Sequence, residues 1–202
     1  TREFTGNKTD RPDHPIIFSK SRNSIIGHEE KVASHSAVTQ ELDYEAELAV
    51  VIGKRGRNIP KEEAFDYVFG YTIINDITAR DLQRKHQQWL LGKSLDTFCP
   101  MGPWIVHKSA LPKQVNHLNI SCRVNGETRQ SSNTKYMIFD IPTIISTIAA
   151  GHTLEPGNII ATGTCAGVGM GFSPPKYLRP GDIVVGDEDG VVVVPRERAE
   201  EI

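Results

Sequence analysis

The stretch L-D-Y-E-A-E-L-A-V-V-I-G, Leu42 to Gly53, has the composition of a buried β-strand that ends at a glycine. Because strand side chains alternate between two faces, Glu45 and Glu47 share one face, and the opposite face is apolar throughout. Two like charges on a partly buried face repel each other, and desolvation adds to the cost. A divalent cation would remove both penalties. An edge strand whose two glutamates face water is the alternative, and this stretch supports both interpretations equally.

A second apolar segment, V-F-G-Y-T-I-I-N-D from Val68 to Asp76, predicts a strand that also ends in a carboxylate. If the two strands are neighbours, Asp76 comes close to Glu45 and Glu47. Three carboxylates plus water form a typical Mg²⁺ site, because Mg²⁺ prefers octahedral oxygen coordination. Capping of the helix that follows is the alternative role of Asp76.

A helix is predicted to start at Thr78, which together with Asp81 resembles a capping box. On this helix Arg80 and Gln83 are three residues apart and therefore lie on one face. Lys93 follows shortly afterwards. Cationic and amide donors beside a metal suit an anionic, oxygen-rich substrate, whereas a solvated helix and loop is the alternative interpretation.

The rest of the chain reads as β-rich, with three further helices, and shows neither an internal repeat nor a linker. We therefore predict one domain over residues 1–202. The Gly-rich segment after Thr162 lacks the spacing of a nucleotide-binding motif but can present backbone N–H groups to a carboxylate. The predicted elements are a strand His14–Lys20, a short helix that opens at Pro60, a hairpin at Asn125–Gly126, a helix Phe139–Ala150 closed by Gly151, a strand from Ile159 into the Gly-rich loop, a strand Leu178–Val185 and a helix from Pro195.

Composition narrows the class of protein. The chain has 202 residues and a net charge of -2, without the clustered Lys and Arg of a nucleic-acid-binding protein. No apolar run approaches the ~20 residues that span a bilayer, so no membrane partner is expected. Three widely spaced cysteines without a C-x-x-C pair favour a reducing compartment, and we expect a cytoplasmic protein. The chain opens at Thr1, so we expect that the natural N-terminus is missing.

Four segments in this order resemble the fumarylacetoacetate hydrolase family: D-Y-E-A-E-L-A-V-V-I-G, G-Y-T-I-I-N-D-I-T-A-R-D-L-Q, L-G-K-S-L-D-T-F-C-P-M-G-P-W and I-I-A-T-G-T-C-A-G-V-G. The resemblance covers residues 1 to about 184. It implies an α+β fold that is mostly β, a mixed β-sandwich roll with a few short helices. It also implies a homodimer that binds Mg²⁺ or Mn²⁺ and a small 2-oxo acid.

The resemblance also implies a role for individual residues, position by position. The implied metal ligands are Glu45, Glu47 and Asp76. The implied catalytic residues are Glu3, Gln83 and Lys93. The implied substrate-binding residues are Lys20, Arg80, Gly163 and Thr164.

The implied reaction is hydrolysis or decarboxylation of a C–C bond in an acylpyruvate, a β-diketo acid or an oxaloacetate-like acid. In the hydrolases of the family, a His–Glu pair in H-x-x-E activates water. Glu3 in T-R-E matches that glutamate, and its histidine would directly precede Thr1. An isomerase or dehydratase acting on 2-oxo diacids or sugar acids, such as a 2-hydroxyhepta-2,4-diene-1,7-dioate isomerase, is the second hypothesis. A non-catalytic family member is the third.

The end of the chain departs from the family pattern. The segment G-D-E-D-G-V-V-V-V-P-R-E-R-A-E-E-I resembles the closing part of the aldolase-like family related to the regulator of ribonuclease E and to 4-hydroxy-4-methyl-2-oxoglutarate aldolase. This second resemblance spans only residues 180–202. We expect an atypical C-terminal hairpin and helix there.

Overall fold

Short strands make up most of the regular structure in a computed structural model that describes residues 11–111, 115–186 and 190–193. The strands are β1 (Ile25–Ile26), β2 (Leu42–Asp43), β3 (Ala46–Ile52), β4 (Val68–Asn75), β5 (Thr78–Ala79), β6 (Cys99–Pro100), β7 (Val106–His107), β8 (Asn119–Val124), β9 (Glu127–Asn133), β10 (Ile159–Ala161), β11 (Ile183–Gly186) and β12 (Gly190–Val193). The α-helices are α1 (Arg80–Lys85), α2 (Leu90–Lys93) and α3 (Ile141–Ala149). The 3-10 helices are Arg22–Ser24, Lys61–Tyr67, Lys108–Ala110, Thr134–Tyr136 and Gly169–Gly171. This content confirms the predicted α+β class with mostly β structure.

Two four-stranded antiparallel sheets carry most of the strand pairing. One has the order β10-β3-β4-β7 and the other has the order β12-β11-β8-β9. Among the described residues there are also two small pairs: β2 with β5, antiparallel, and β1 with β6, parallel. The sheet architecture is therefore mixed, as predicted.

The strand β3 is buried at every residue and connects two hydrophobic cores. Ala46, its first residue, and Tyr44, two residues before it, pack with buried side chains of β8 and β11. Leu48, Val50 and Ile52 pack with α3 and with the 3-10 helix Lys61–Tyr67. Because β3 lies between β10 and β4, it is not an edge strand.

The helix α3 begins and ends close to its predicted limits. The Asp140 side chain accepts a hydrogen bond from the Thr143 N–H at 2.9 Å, which is an N-cap. The helix ends with Ala150 as its C-cap, so the predicted closure at Gly151 is wrong. Within the described ranges, no helix combines the length and the apolar character needed to cross a membrane.

The predicted hairpin at Asn125–Gly126 is confirmed. These two residues connect β8 to β9 and have positive φ angles of 52° and 81°. Such values are typical of a two-residue hairpin turn, in which both central residues are left-handed. The strands β11 and β12 also pair with each other, as expected for the C-terminal hairpin, while the helix predicted from Pro195 lies outside the described residues.

Two predicted local structures are wrong. His14–Lys20 forms no strand, because none of the described segments pairs with it, and Ile16 and Ile17 remain exposed. Thr78 does not cap a helix, since it belongs to β5 and its hydroxyl donates to the Asp76 carbonyl at 2.9 Å. The helix starts two residues later, at Arg80.

Two of the predicted strands and one helix are present in altered form. The strand predicted over Leu178–Val185 is shorter and shifted, since β11 spans Ile183–Gly186. The strand from Ile159 ends at Ala161, and the Gly-rich segment then runs without regular structure to the 3-10 helix Gly169–Gly171. The short helix predicted at Pro60 is a 3-10 helix over Lys61–Tyr67.

The helices α1 and α2 touch at Gly92, where only a glycine fits. A Cβ atom on Gly92 would lie 2.7 Å from the Gln83 backbone nitrogen and 2.8 Å from its Cα atom. Gln83 belongs to α1 and Lys93 to α2. This close contact therefore sets the distance between two candidate site residues.

We predict that Gly92→Ala destabilises the protein, because the new methyl group pushes the two helix backbones apart. Overpacking of this kind typically costs about 1–3 kcal/mol. At roughly 2–4 °C per kcal/mol for a chain of this size, the melting temperature falls by about 2–12 °C. Gly151→Ala is the control, since a Cβ atom there has no neighbour within 4 Å. Equal melting temperatures for the two variants in a thermal denaturation scan would contradict the assigned contact.

Candidate metal centre

Three carboxylates meet where β3 begins and β4 ends. Glu45 directly precedes β3, Glu47 lies within it, and Asp76 directly follows β4. The pairing of Ala46 with Asn75 brings the strand ends together, and the Asp76 N–H donates to the Glu45 carbonyl at 2.8 Å. One oxygen from each carboxylate lies within 4.8 Å of the others. The predicted ligand set therefore forms one cluster.

These carboxylates are buried. Glu45 and Glu47 are each 3% exposed, and Asp76 is fully buried. The exposed edge strand considered from the sequence is thus wrong. The alternative of Asp76 as a helix cap is also wrong, because its side chain pairs with lysines.

Two ammonium groups compensate Asp76 and Glu45. The Lys93 Nζ donates to Asp76 Oδ2 at 2.6 Å and to Glu45 Oε2 at 2.9 Å. The Lys20 Nζ donates to Asp76 Oδ1 at 2.6 Å and also to the Lys93 carbonyl. The structure therefore brings both predicted lysines to the cluster.

These contacts fix the charge states of Asp76 and Lys93. Burial raises the pKa of Asp76, but the Lys93 and Lys20 ammonium groups outweigh it, and the pKa lies below its ordinary value. Burial lowers the pKa of Lys93, but the Asp76 and Glu45 carboxylates hold that pKa above its ordinary value. Lys93 is therefore a hydrogen-bond donor rather than a base.

Glu47 is different, because the ion pairs of the cluster go to the other two carboxylates. In the described part of the chain, its side chain accepts a hydrogen bond from the Gly163 N–H at 2.8 Å and forms no ion pair. Burial raises the pKa of Glu47 well above its ordinary value, and the Asp76 and Glu45 charges raise it further. A divalent cation bound by the three carboxylates would supply the charge that Glu47 lacks. The donor set therefore fits Mg²⁺ or Mn²⁺, which both favour carboxylate oxygens.

Arg80 lies beside Glu45, and Gln83 lies beside Arg80. The Arg80 Nη2 is 2.6 Å from Glu45 Oε1, and its Nη1 donates to Gln83 Oε1 at 3.2 Å. The shared helix face predicted from their spacing is confirmed. Arg80 is fully buried, so its contact with the cluster runs through Glu45.

The Gly-rich segment closes the cluster on the Glu47 side. Gly163, with φ of 97°, directs its N–H to Glu47. The Thr164 hydroxyl donates to the Ala46 carbonyl at 3.0 Å and accepts from the Gln130 amide at 2.8 Å. Both residues predicted here therefore lie next to β3. Glu3, the remaining predicted residue, lies outside the described residues.

Two side chains near the cluster were not singled out from the sequence. Asp43 is fully buried and binds Arg80. The Phe18 ring lies 5.0 Å from Lys93 Nζ and packs edge-on against Trp89 at 5.3 Å. The only sequence signals were the position of Asp43 in D-Y-E-A-E and that of Phe18 two residues before Lys20.

Known proteins resemble this chain over most of its length. It is 59% identical over 177 residues to the oxaloacetate tautomerase YisK of Bacillus subtilis (strain 168), which covers 88% of this chain and 58% of that protein. The chain thus spans little more than half the length of this relative. An uncharacterized protein of Methanocaldococcus jannaschii, MJ1656, is 49% identical over 183 residues, covering 91% of this chain and 72% of the relative.

Solved structures share the fold. A fumarylacetoacetate hydrolase from the psychrophilic Exiguobacterium antarcticum has a TM-score of 0.85 and 47% identity, covering 89% of this chain and 66% of that one. A 2-hydroxyhepta-2,4-diene-1,7-dioate isomerase from Mycobacterium marinum has a TM-score of 0.80 and 35% identity, covering 93% of this chain and 71% of that one.

Residues 2–194 match the family described as "Fumarylacetoacetate (FAA) hydrolase C-terminal". The match includes all the residues of the acidic cluster. The chain belongs to the fumarylacetoacetate hydrolase family.

Proposed function

We propose that Glu45, Glu47 and Asp76 hold Mg²⁺ or Mn²⁺ and that the loaded site acts as an enzyme on a small 2-oxo acid. The observation that carries this proposal is Glu47, a buried carboxylate whose pKa is raised by burial and by two neighbouring carboxylates. A protein gains nothing in stability from such a group unless a cation binds it.

The bound cation would supply positive charge to the carboxylate and keto oxygens of the substrate. Lys93 adds a second source of positive charge. Its Nζ donates one hydrogen bond to Asp76 and one to Glu45, and the Phe18 ring lies 5.0 Å from the same atom. A substrate oxygen that reaches this ammonium group receives its third hydrogen bond. Negative charge that develops on the keto oxygen is stabilised there.

Keto–enol isomerisation of a 2-oxo diacid is the reaction we favour. A proton leaves the carbon next to the keto group and a proton arrives at the keto oxygen, so no water is consumed. This chemistry needs the stabilised oxygen charge that Lys93 offers. The named relatives support this choice, since one is an oxaloacetate tautomerase and one a dienedioate isomerase.

Cleavage of a C–C bond by hydrolysis or decarboxylation is the second candidate. It is supported by the fumarylacetoacetate hydrolase from Exiguobacterium antarcticum, which shares 47% identity. The bound cation and Lys93 would stabilise the negative charge of the enolate leaving group in the same way. Hydrolysis further requires a group that activates water, for which we propose Glu3.

We predict opposite effects of Glu47→Gln on the metal-free and the metal-loaded protein. Without metal, the melting temperature rises, because a neutral amide replaces a buried carboxylate that forms no ion pair with the described residues and lies beside two like charges. With Mn²⁺, the affinity falls at least tenfold, because one of three ligands is lost. Thermal scans and calorimetric titration with Mn²⁺ measure the two effects.

Glu155→Gln is the matched control for this pair of measurements. Glu155 is exposed and pairs with Arg55 at 2.8 Å, and neither residue belongs to the cluster. Surface pairs of this kind contribute about 0–1 kcal/mol. A Glu47→Gln variant with wild-type Mn²⁺ affinity would overturn the ligand assignment.

We predict that the protein with Mg²⁺ speeds the loss of enol-oxaloacetate absorbance while total oxaloacetate is conserved. Lys93→Met should lower kcat by about 10²–10³-fold, as expected on removal of a group that stabilises oxygen charge. Lys135→Met, an exposed lysine, should leave kcat unchanged. Appearance of pyruvate instead would favour the cleavage reaction. If the protein with Mg²⁺ converts none of oxaloacetate, acylpyruvates and dienedioates, it is a non-catalytic family member.

A further inference from the structure

We propose that Asp43 is a positioning residue that builds the Glu45 side of the metal centre. It joins Arg80 and the Gly169–Met170 backbone in one buried junction. The existence of the junction is independent of the proposed function, whereas its effect on a bound cation rests on that proposal.

The Asp43 carboxylate is fully buried and satisfied by four donors. Its Oδ1 accepts from the Gly169 N–H at 2.6 Å and from the Tyr44 N–H at 2.9 Å. Its Oδ2 accepts from the Arg80 Nε–H at 2.9 Å and from the Met170 N–H at 3.0 Å. An ionised carboxylate offers about four lone-pair sites, so this set uses its accepting capacity.

The Arg80 guanidinium is held at each of its nitrogens. Its Nε donates to Asp43, its Nη1 to Gln83, and its Nη2 pairs with Glu45 at 2.6 Å. A planar guanidinium that is fixed at Nε has its Nη atoms fixed as well. Asp43 therefore determines where Arg80 meets Glu45, although Asp43 itself does not touch the three-carboxylate cluster.

The same carboxylate anchors the Gly-rich segment. Gly169 leaves no room for a side chain, since a Cβ atom there would lie 2.7 Å from Asp43 Oδ1 and 2.4 Å from the Lys176 carbonyl. This segment also carries Gly163, whose N–H binds Glu47. Asp43 thus connects the Arg80 helix, the start of β3 and the loop that contacts Glu47.

An amide cannot replace the carboxylate at this junction. In Asp43→Asn, the NH₂ group faces N–H donors on whichever side it is placed, because both oxygens accept from two donors. The variant has nearly the same size but loses two acceptor contacts and the charge partner of Arg80. Arg80 then shifts relative to Glu45.

The first measurement is the Arg80 Nε–H resonance in ¹⁵N NMR spectra of the metal-free protein, assigned by its loss in Arg80→Lys. In the wild type we expect slow solvent exchange of this proton, and in Asp43→Asn we expect faster exchange and a changed chemical shift. An unchanged resonance in folded Asp43→Asn would overturn the junction. Asp81→Asn is the control, because Asp81 also accepts backbone N–H groups, at Gln40 and Leu82, and lies next to Arg80 in sequence.

The second measurement is Mn²⁺ affinity by calorimetric titration for Asp43→Asn, Arg80→Lys and the double variant. We expect each single variant to bind at least fivefold more weakly and the double variant to be no weaker than the worse single one, because both changes break one junction. Additive losses, or wild-type affinity in Asp43→Asn, would overturn the positioning role. Should Asp43→Asn fail to fold, wild-type affinity in Arg80→Lys would overturn it as well.

The two measurements separate the two proposals. A wild-type protein that binds no Mn²⁺ removes the proposed metal function, while the Arg80 resonance still decides whether Asp43 holds the guanidinium. If the wild-type protein binds Mn²⁺ but the Arg80 resonance is unchanged in Asp43→Asn, only the positioning role is overturned.

Discussion

Mutual repulsion among three buried carboxylates is the constraint on which this structure depends. Glu45, Glu47 and Asp76 lie close together and almost without contact to solvent. Lys93 and Lys20 offset part of that repulsion, at Asp76 above all. Among the described residues, Glu47 accepts one backbone N–H and forms no ion pair, and the nearby Lys93 charge lowers its pKa by less than burial and the two carboxylates raise it. Such an incomplete balance is typical of a functional site rather than of a structural core.

The fold supplies this arrangement through rigid elements. The strand β3 lies between β10 and β4, so the positions of Glu47 and Asp76 are set by the backbone ladder rather than by a loop. Close contact at Gly92 sets the position of Lys93 relative to α1. Sites on strands and on packed helices hold their side chains more accurately than sites on loops. The backbone and the packed helices therefore hold the three carboxylates in one place.

Local pattern suggested the acidic cluster, because two strand residues in alternation and a carboxylate at a strand end need only the pairing of two adjacent strands. The resemblance to the family then favoured the cluster over an exposed edge strand. Asp43 was missed because its partner Gly169 is 126 positions away and comes close only in the folded chain. The strand at His14–Lys20 was wrongly predicted since apolar composition does not guarantee a pairing partner. Thr78 was wrongly assigned as a cap because β2 pairs with it. In all three cases the structure was determined by tertiary contacts that the local sequence does not contain.

The most direct test is an anomalous difference map from crystals of this chain grown with Mn²⁺. We expect a single strong peak bounded by carboxylate oxygens of Glu45, Glu47 and Asp76, with Lys93 still beside Asp76. A map without a peak at the cluster, with Mn²⁺ bound elsewhere, would contradict the central claim that these three carboxylates form a metal centre.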